Sequence, residues 1–232
     1  MSQAGPRTGV AVIGLGNAFI PHALALKDLA ATVEVVWAAS PSPARTARVA
    51  AEHGFPVTND IQQAIADPRV FAVLLLAPPD VHLDIARSCF AAGKHVLCEK
   101  PLDVSLARAE ALVAEAAHAG LTLGAVLQSR FRADALRLKQ VLDAGGLGAV
   151  QAASLAVPWW RPQAYYDEPG RGTYARDGGG AQVMAFPHEM HRELIADFLA
   201  AARAGRAPAA SGAELLASQA VIHAIMGRAT RR

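Results

Sequence analysis

The residues able to do chemistry sit at a few points of the 232-residue chain. Glu99-Lys100-Pro101 closes the run Lys94–Cys98, "KHVLC". A lysine at the carboxyl end of a parallel strand faces the crevice where open α/β sheets bind ligands. An ammonium there can hydrogen-bond a substrate hydroxyl and ease its proton loss as a hydride leaves. The alternative is a surface lysine ahead of a helix-starting proline. Gly14-Leu15-Gly16 closes a second apolar run, Val10–Ile13, and Asn17-Ala18-Phe19 lead on into a helix-like stretch. The first glycine permits a tight turn. The second lets a pyrophosphate approach the backbone at the positive end of the helix. Phe19 holds the position where a third glycine is usual, so the expectation of dinucleotide binding rests on the strand–turn–helix context.

About 20 residues further on, such sites use an acidic residue to hold the ribose. This chain has Ser40 there, with Arg45 a turn later. Without a carboxylate nothing repels a 2′-phosphate, and Arg45 can pair with one. That allows NADP, while Arg45 as a solvated helix residue stays equally open. The last candidate is His188, which follows the run Gly178-Gly179-Gly180.

The elements that would position these residues alternate in type. Strands are expected at Val10–Ile13, Thr32–Ala38, Phe71–Leu76, Lys94–Cys98 and Leu121–Leu127. Helices are expected at Pro21–Ala31, Ala44–His53, from a cap at Asp80 to Gly93 (with Val81, Ile85, Cys89 and Ala92 as the apolar stripe), and around Leu106–Ala116. The run "FAVLLL" is nearly all apolar, as in a parallel sheet covered on both faces. This order implies a doubly wound parallel sheet, complete within residues 1–125. Beyond it we expect a helix at Ala133–Ala144, a strand at Ala149–Val157, a long loop at Pro158–Gly180 and two final helices, the second opened by a Ser211–Glu214 capping box.

Composition excludes several classes. Hydrophobic residues make up 53% and charged residues 18%, which suits a packed core and not disorder. A net charge of +2 gives no electrostatic case for nucleic acid or an acidic membrane surface. No apolar run reaches the roughly 20 residues of a membrane span. Cys89 and Cys98 form no paired motif and are expected to be buried free thiols. Together these point to a cytoplasmic protein that handles small molecules, with homo-oligomer formation left open.

The segments "AVIGLGNAFIPHALAL", "VLLLAPPDVHLDIARSCFAAGKHVLCEKPL" and "QSRFRADALRLKQVLDAGGLGAV", in this order, resemble the glucose–fructose oxidoreductase/inositol dehydrogenase (Gfo/Idh/MocA) family. The phrase "AGKHVLCEKPL" is the most specific. The resemblance implies an N-terminal Rossmann domain that binds NAD or NADP, and a second α/β domain that carries an open sheet and binds a sugar, polyol or related alcohol. It assigns Gly14 and Gly16 to the pyrophosphate turn and Ser40 to the ribose position. It places Ala77, Pro78, Pro79 and His82 along the cofactor. Glu99, Lys100 and Pro101 match the EKP motif, with Lys100 catalytic and the Lys100–Pro101 bond often cis. Arg130, Trp160 and Arg161 match further residues near the cofactor.

After the glycine run the family continues with an Asp-x-x-x-His pattern, the histidine acting as acid/base. By count Met184 fills the Asp slot and His188 the His slot. In the other reading, which we expect, the chain jumps near 182–184 to the family's C-terminal helices. "FPHEMHRELIADFL" resembles that segment, and around a hundred residues of the second domain are then absent. The expected organisation is 1–125 Rossmann domain, 126–182 remnant of the second domain, and 183–232 C-terminal helices. The function is either NAD(P)-dependent oxidation of a sugar-like alcohol by Lys100 and His188, or dinucleotide binding by a truncated, non-catalytic chain.

Overall fold

A computed structural model of the protein describes residues 7–149, 151–152, 163, 167 and 188–229. Six parallel strands form one sheet: β1 (Thr8–Ile13), β2 (Val33–Ala39), β3 (Val57–Thr58), β4 (Ala72–Leu75), β5 (His95–Cys98) and β6 (Leu123–Ala125). Their spatial order is β3-β2-β1-β4-β5-β6. The order reverses between β1 and β4, which opens the crevice where doubly wound folds bind dinucleotides. Residue for residue, Val10–Ile13 pairs with Ala72–Leu75, and Ala72–Leu75 with His95–Cys98. The turn after β1 and the segment after β5 therefore emerge at the same edge of the sheet.

The helices are α1 (Phe19–Asp28), α2 (Pro43–His53), α3 (Ile61–Ala66), α4 (His82–Ala91), α5 (Leu106–His118), α6 (Ala133–Asp143), α7 (Glu189–Ala204) and α8 (Gly212–Ala229). Local chemistry sets several ends. Asp60 accepts hydrogen bonds from the amides of Gln62 and Gln63 at the start of α3, and Ser105 accepts from Arg108 at the start of α5. Gly54 ends α2 with φ 70°, a left-handed conformation that glycine adopts without steric cost.

Two apolar layers cover the sheet. Alternate strand residues Ala11, Ile13, Val73, Leu75, Val96 and Cys98 pack against α3, α4, α5 and Leu215 of α8. The opposite set, Val10, Val12, Ala72, Leu74 and Leu97, packs against α1, against Val49 of α2, and against Leu194, Ile195, Phe198 and Leu199 of α7. On this second face α1 and α2 belong to the β1–β3 half. The C-terminal helix α7 packs beside them over β5 and β6. Gly124 of β6 shows how close the approach is: a Cβ there would lie 2.7 Å from the Phe198 ring. Helix α7 and the first half of α8 are thus part of the same core as residues 8–125.

Several expectations need correction. Asp80 does not cap α4; Pro79–Val81 forms a short 3-10 turn and the helix starts at His82 with no side-chain cap. Val81 is exposed, and the buried stripe of α4 is His82, Leu83, Ala86, Cys89 and Phe90. β3 and α3 were not anticipated: a two-residue strand and a six-residue helix are too short to show a period. The strand expected at Ala149–Val157 and the loop through Gly180 lie almost wholly outside the described residues. α6 forms as expected but buries none of its residues, and Leu136, Leu138, Val141 and Leu142 are exposed. Both cysteines are free and buried.

Candidate functional site

The turn after β1 has the form an anion site needs. Gly14 has φ 102°, and a Cβ there would lie 2.5 Å from the backbone of Leu76 and Ala77, so only glycine lets the β1 and β4 ends approach this closely. At Gly16 a Cβ would meet nothing within 4 Å; the space above it is open. α1 begins at Phe19 with no side-chain cap and no acid in its first turn. Among the described residues no backbone acceptor meets the amides of Gly16, Asn17 or Ala18. Unmatched amides and the helix dipole together suit a phosphate. Phe19 itself points inward: it is buried and packs edge-on against Phe55 and His53.

The end of β2 carries no carboxylate. Ser40 is only 2% exposed; its hydroxyl accepts from the Ser42 amide and its carbonyl from Asn59 Nδ2. Arg45 is exposed and has no partner among the described residues. Arg48, a turn later, donates to the Leu15 carbonyl at 3.2 Å, which ties α2 to the glycine turn.

After β4, Ala77, Pro78 and Pro79 lie at the crevice edge. His82 does not. It is fully buried, with Nε2 2.7 Å from the Ala77 carbonyl and Nδ1 3.1 Å from the Leu102 carbonyl and 3.3 Å from Cys98 Sγ. Burial lowers its pKa, although both carbonyls oppose the shift, and burial pushes the Cys98 thiol up. A neutral ring donating from Nε2 to the nearer carbonyl, Ala77, leaves Nδ1 to accept from the protonated Cys98 thiol, so the Leu102 carbonyl receives no hydrogen from the ring. His82 thus holds the Ala77 backbone in place.

The Lys100–Pro101 bond is cis. Glu99 lies beneath this turn, with its side chain 12% exposed. One carboxylate oxygen accepts from the Lys100 amide at 2.7 Å. The other is 3.8 Å from His22 Nε2 of α1. Burial pushes the Glu99 carboxyl up, but His22, the Lys100 charge and the Lys100 amide outweigh it and hold the group below the ordinary carboxylate range. His22 is fully buried and meets the His191 ring of α7 edge-on, centroids 4.7 Å apart. The sequence reading missed both histidines. His22 falls within the helix expected at Pro21–Ala31, and nothing local links it to Glu99.

His188 lies elsewhere. Its Nε2 is 2.9 Å from Asp28 Oδ2, at the end of α1 remote from the phosphate turn. Six helical residues, about 9 Å along the axis, separate Asp28 from His22. Arg130 stands in a 3-10 turn, paired with Glu214 of α8 and donating to the Ala209 carbonyl, so its guanidinium anchors the C-terminal segment. Trp160 and Arg161 lie outside the described residues. The structure therefore gathers Gly14, Gly16, Asn17, Ala18, Ala77, Glu99 and Lys100 along one edge, with Ser40 and Arg45 at its β2 end. It sends His82, His188 and Arg130 to structural partners. Among the described residues no group of three or more His, Cys, Asp or Glu side chains forms a metal site.

Comparison with known proteins agrees with this geometry. The family profile described as "Oxidoreductase family, NAD-binding Rossmann fold" (GFO_IDH_MocA) matches residues 8–126, just over half of the chain. The chain belongs to the Gfo/Idh/MocA oxidoreductase family. Among curated relatives, an inositol 2-dehydrogenase of Streptomyces avermitilis is 34% identical over 142 residues, which cover 60% of this chain and 41% of that protein. A 1,5-anhydro-D-fructose reductase of Ensifer adhaerens is 34% identical over 121 residues, covering 52% of this chain and 36% of that protein. Among solved structures, the WlbA dehydrogenase of Bordetella pertussis in complex with NADH and UDP-GlcNAcA superposes with a TM-score of 0.71 at 25% identity, covering 76% of this chain and 51% of that one. The chain spans about 40% of the length of the curated relatives it matches. Its fold is the family's α/β Rossmann fold, and it carries the oxidoreductases' NAD-binding domain. No helix among the described residues is long and apolar enough to cross a membrane.

Proposed function

We propose that this chain is a dinucleotide-binding member of the Gfo/Idh/MocA oxidoreductases that prefers NADP(H) to NAD(H). The observation that supports the preference is the end of β2, where Ser40 replaces an acid and Arg45 stands exposed with no partner among the described residues. A 2′-phosphate meets no carboxylate there and gains a guanidinium partner. The pyrophosphate would rest on the amides of Gly16–Ala18 at the start of α1. When bound, the nicotinamide supplies a hydride acceptor or donor. Lys100 would hold the proton of a carbinol hydroxyl on a sugar or polyol, the substrate class suggested by the named relatives.

Turnover by this chain alone is the weaker reading. What supports this is the location of His188, bound to Asp28 at the end of α1 away from the glycine turn, since loss of a positioned acid/base typically costs 10²- to 10⁴-fold in rate. A domain plan of 1–125 for the cofactor, 126–182 as a remnant of the substrate domain and 183–232 as returning helices accounts for the short coverage of the relatives. Cytoplasmic location goes with this plan.

Fluorescence titration with NADPH and NADH tests the proposal. NADPH is expected to bind at least 10-fold more tightly than NADH, and Arg45→Ala to weaken NADPH about 10-fold while leaving NADH within 2-fold. Equal or tighter NADH binding overturns the preference; no binding of either overturns the function. A polyol and sugar oxidation screen is expected to show no difference between the wild type and His188→Ala.

A further inference from the structure

The least explained feature of the core is a pair of imidazoles packed edge to face beside a buried acid. His22 Nδ1, His22 Nε2 and His191 Nδ1 are buried and lack a hydrogen-bond partner. Leaving a polar atom in that state is unfavourable, so an aliphatic pair would serve packing better. One of the three orphan nitrogens, His22 Nε2, faces a carboxylate, and the His191 ring lies edge-on to the His22 ring. Glu99 Oε1 is 3.8 Å from His22 Nε2, and shortening that gap by under about 1 Å makes a charge-assisted hydrogen bond. The other Glu99 oxygen already fixes the Lys100 amide. His22 belongs to the helix whose N-terminus faces the phosphate turn, and His191 belongs to the helix that closes the sheet after the chain has returned from residue 143. The groups around the pair are Glu99 and Lys100 from the end of β5, and His188 from the start of α7, itself bound to Asp28 of α1.

We propose that His22 and His191 are positioning residues for the Glu99–Lys100 turn: the docked C-terminal helix, through His191, holds His22 against Glu99, and Glu99 in turn sets the backbone that presents Lys100. This rests on the reading of that turn as the cofactor-side edge of the site. It gives the C-terminal helix a role in the site that its packing alone does not require. Loss of α7 contact at His191 would then be felt at Lys100 through two side chains.

Two readouts test this. The first is the Glu99 carboxyl titration, followed by ¹³C NMR, which does not depend on cofactor binding. His22→Phe keeps the ring–ring packing and is expected to raise the Glu99 midpoint. His22→Gln, which restores a donor near the Nε2 position, is expected to return it toward wild type. The second is NADPH affinity in a double-mutant cycle. His22→Phe and His191→Leu are each expected to weaken binding, about 10-fold and about 3-fold, and the double variant to bind no more weakly than His22→Phe alone. An unchanged Glu99 midpoint in His22→Phe, or additive effects in the cycle, overturns the proposal. If His22→Phe does not fold, the wild-type protein still decides. The Glu99 midpoint of the wild type is expected below the ordinary carboxylate range, and an ordinary Glu99 titration overturns the proposal. If no dinucleotide binds the wild type, the function proposed above fails while the titration still tests the pair.

Discussion

Gln219, on the last helix, donates a 2.6 Å hydrogen bond to the Asp103 carbonyl across 116 positions of sequence. Asp103 follows Lys100-Pro101-Leu102, and its own carboxylate accepts from the Arg108 guanidinium and the Val104 amide. α8 thus grips the segment after the lysine, while α7 reaches its other side through His191 and His22. Gln219→Leu removes the donor and leaves a buried carbonyl unmatched, a cost of about 1–3 kcal/mol. Gln219→Glu also sets a carboxylate against that carbonyl and is expected to cost more. Urea denaturation of the two variants checks the order; equal stability for both would remove α8 from this role.

The contact between Gly124 and Phe198 predicts non-additive mutations. Phe198 is 1% exposed, and Phe198→Ala is expected to cost about 3–5 kcal/mol. Gly124→Ala places a methyl 2.7 Å from the Phe198 ring and is expected to destabilise the wild type. In the Phe198→Ala background the same methyl enters vacated space, so its penalty should shrink or reverse. Equal penalties in both backgrounds would mean that α7 does not lie against β6.

What was legible in the sequence follows the range of the forces involved. Gly14, Gly16 and the Glu99-Lys100-Pro101 turn were readable because strand, turn and helix signals lie within a few residues of each. β4 and β5 were readable as apolar runs because both faces of a parallel sheet are covered. The buried setting of His82 was not legible because the carbonyls beside it, Ala77 and Leu102, lie on two different loops. The pairing of Arg130 was not legible because Glu214 comes 84 positions later. The sequence suggested that residues 183–232 return from a second domain, but not that they complete the first one's core. The cue was there in the apolar stripe Met190, Leu194, Ile195, Phe198 and Leu199, yet a stripe names no partner.

Acid should unfold the protein by a nameable route. Burial, aided by the neighbouring His22, lowers the His191 pKa to about 4 from the ordinary 6.5. The unfolded chain therefore binds the proton more readily than the fold does. The neutral ring's contribution is intact above pH 6.5, falls as pH drops from 6.5 to 4 and is fully lost below. A gap of that size corresponds to at most about 3 kcal/mol. Glu99 works in the same direction: its lowered pKa gives stability that is present at neutral pH and lost as the carboxylate protonates. Thermal melts from pH 8 to 4 are expected to fall most steeply below pH 6.5, and His191→Phe to flatten that fall. An identical slope in the variant would assign the acid sensitivity to other groups.

The two glycines of the β1 turn should fail in different ways. Gly14 has a positive φ and backbone atoms 2.5 Å from where a Cβ would stand, so Gly14→Ala strains the fold itself. It is expected to lower the melting temperature and to abolish cofactor binding together. Gly16 has open space in the same direction, so Gly16→Ala should leave the melt within about 1 kcal/mol of wild type. Yet that open space is where the pyrophosphate would come closest to the backbone, and the added methyl is expected to weaken NADPH at least 10-fold. Melting curves and NADPH titrations on the two variants separate a glycine the chain needs to fold from a glycine the ligand needs to approach. Wild-type affinity in Gly16→Ala would mean that the pyrophosphate does not rest on this turn.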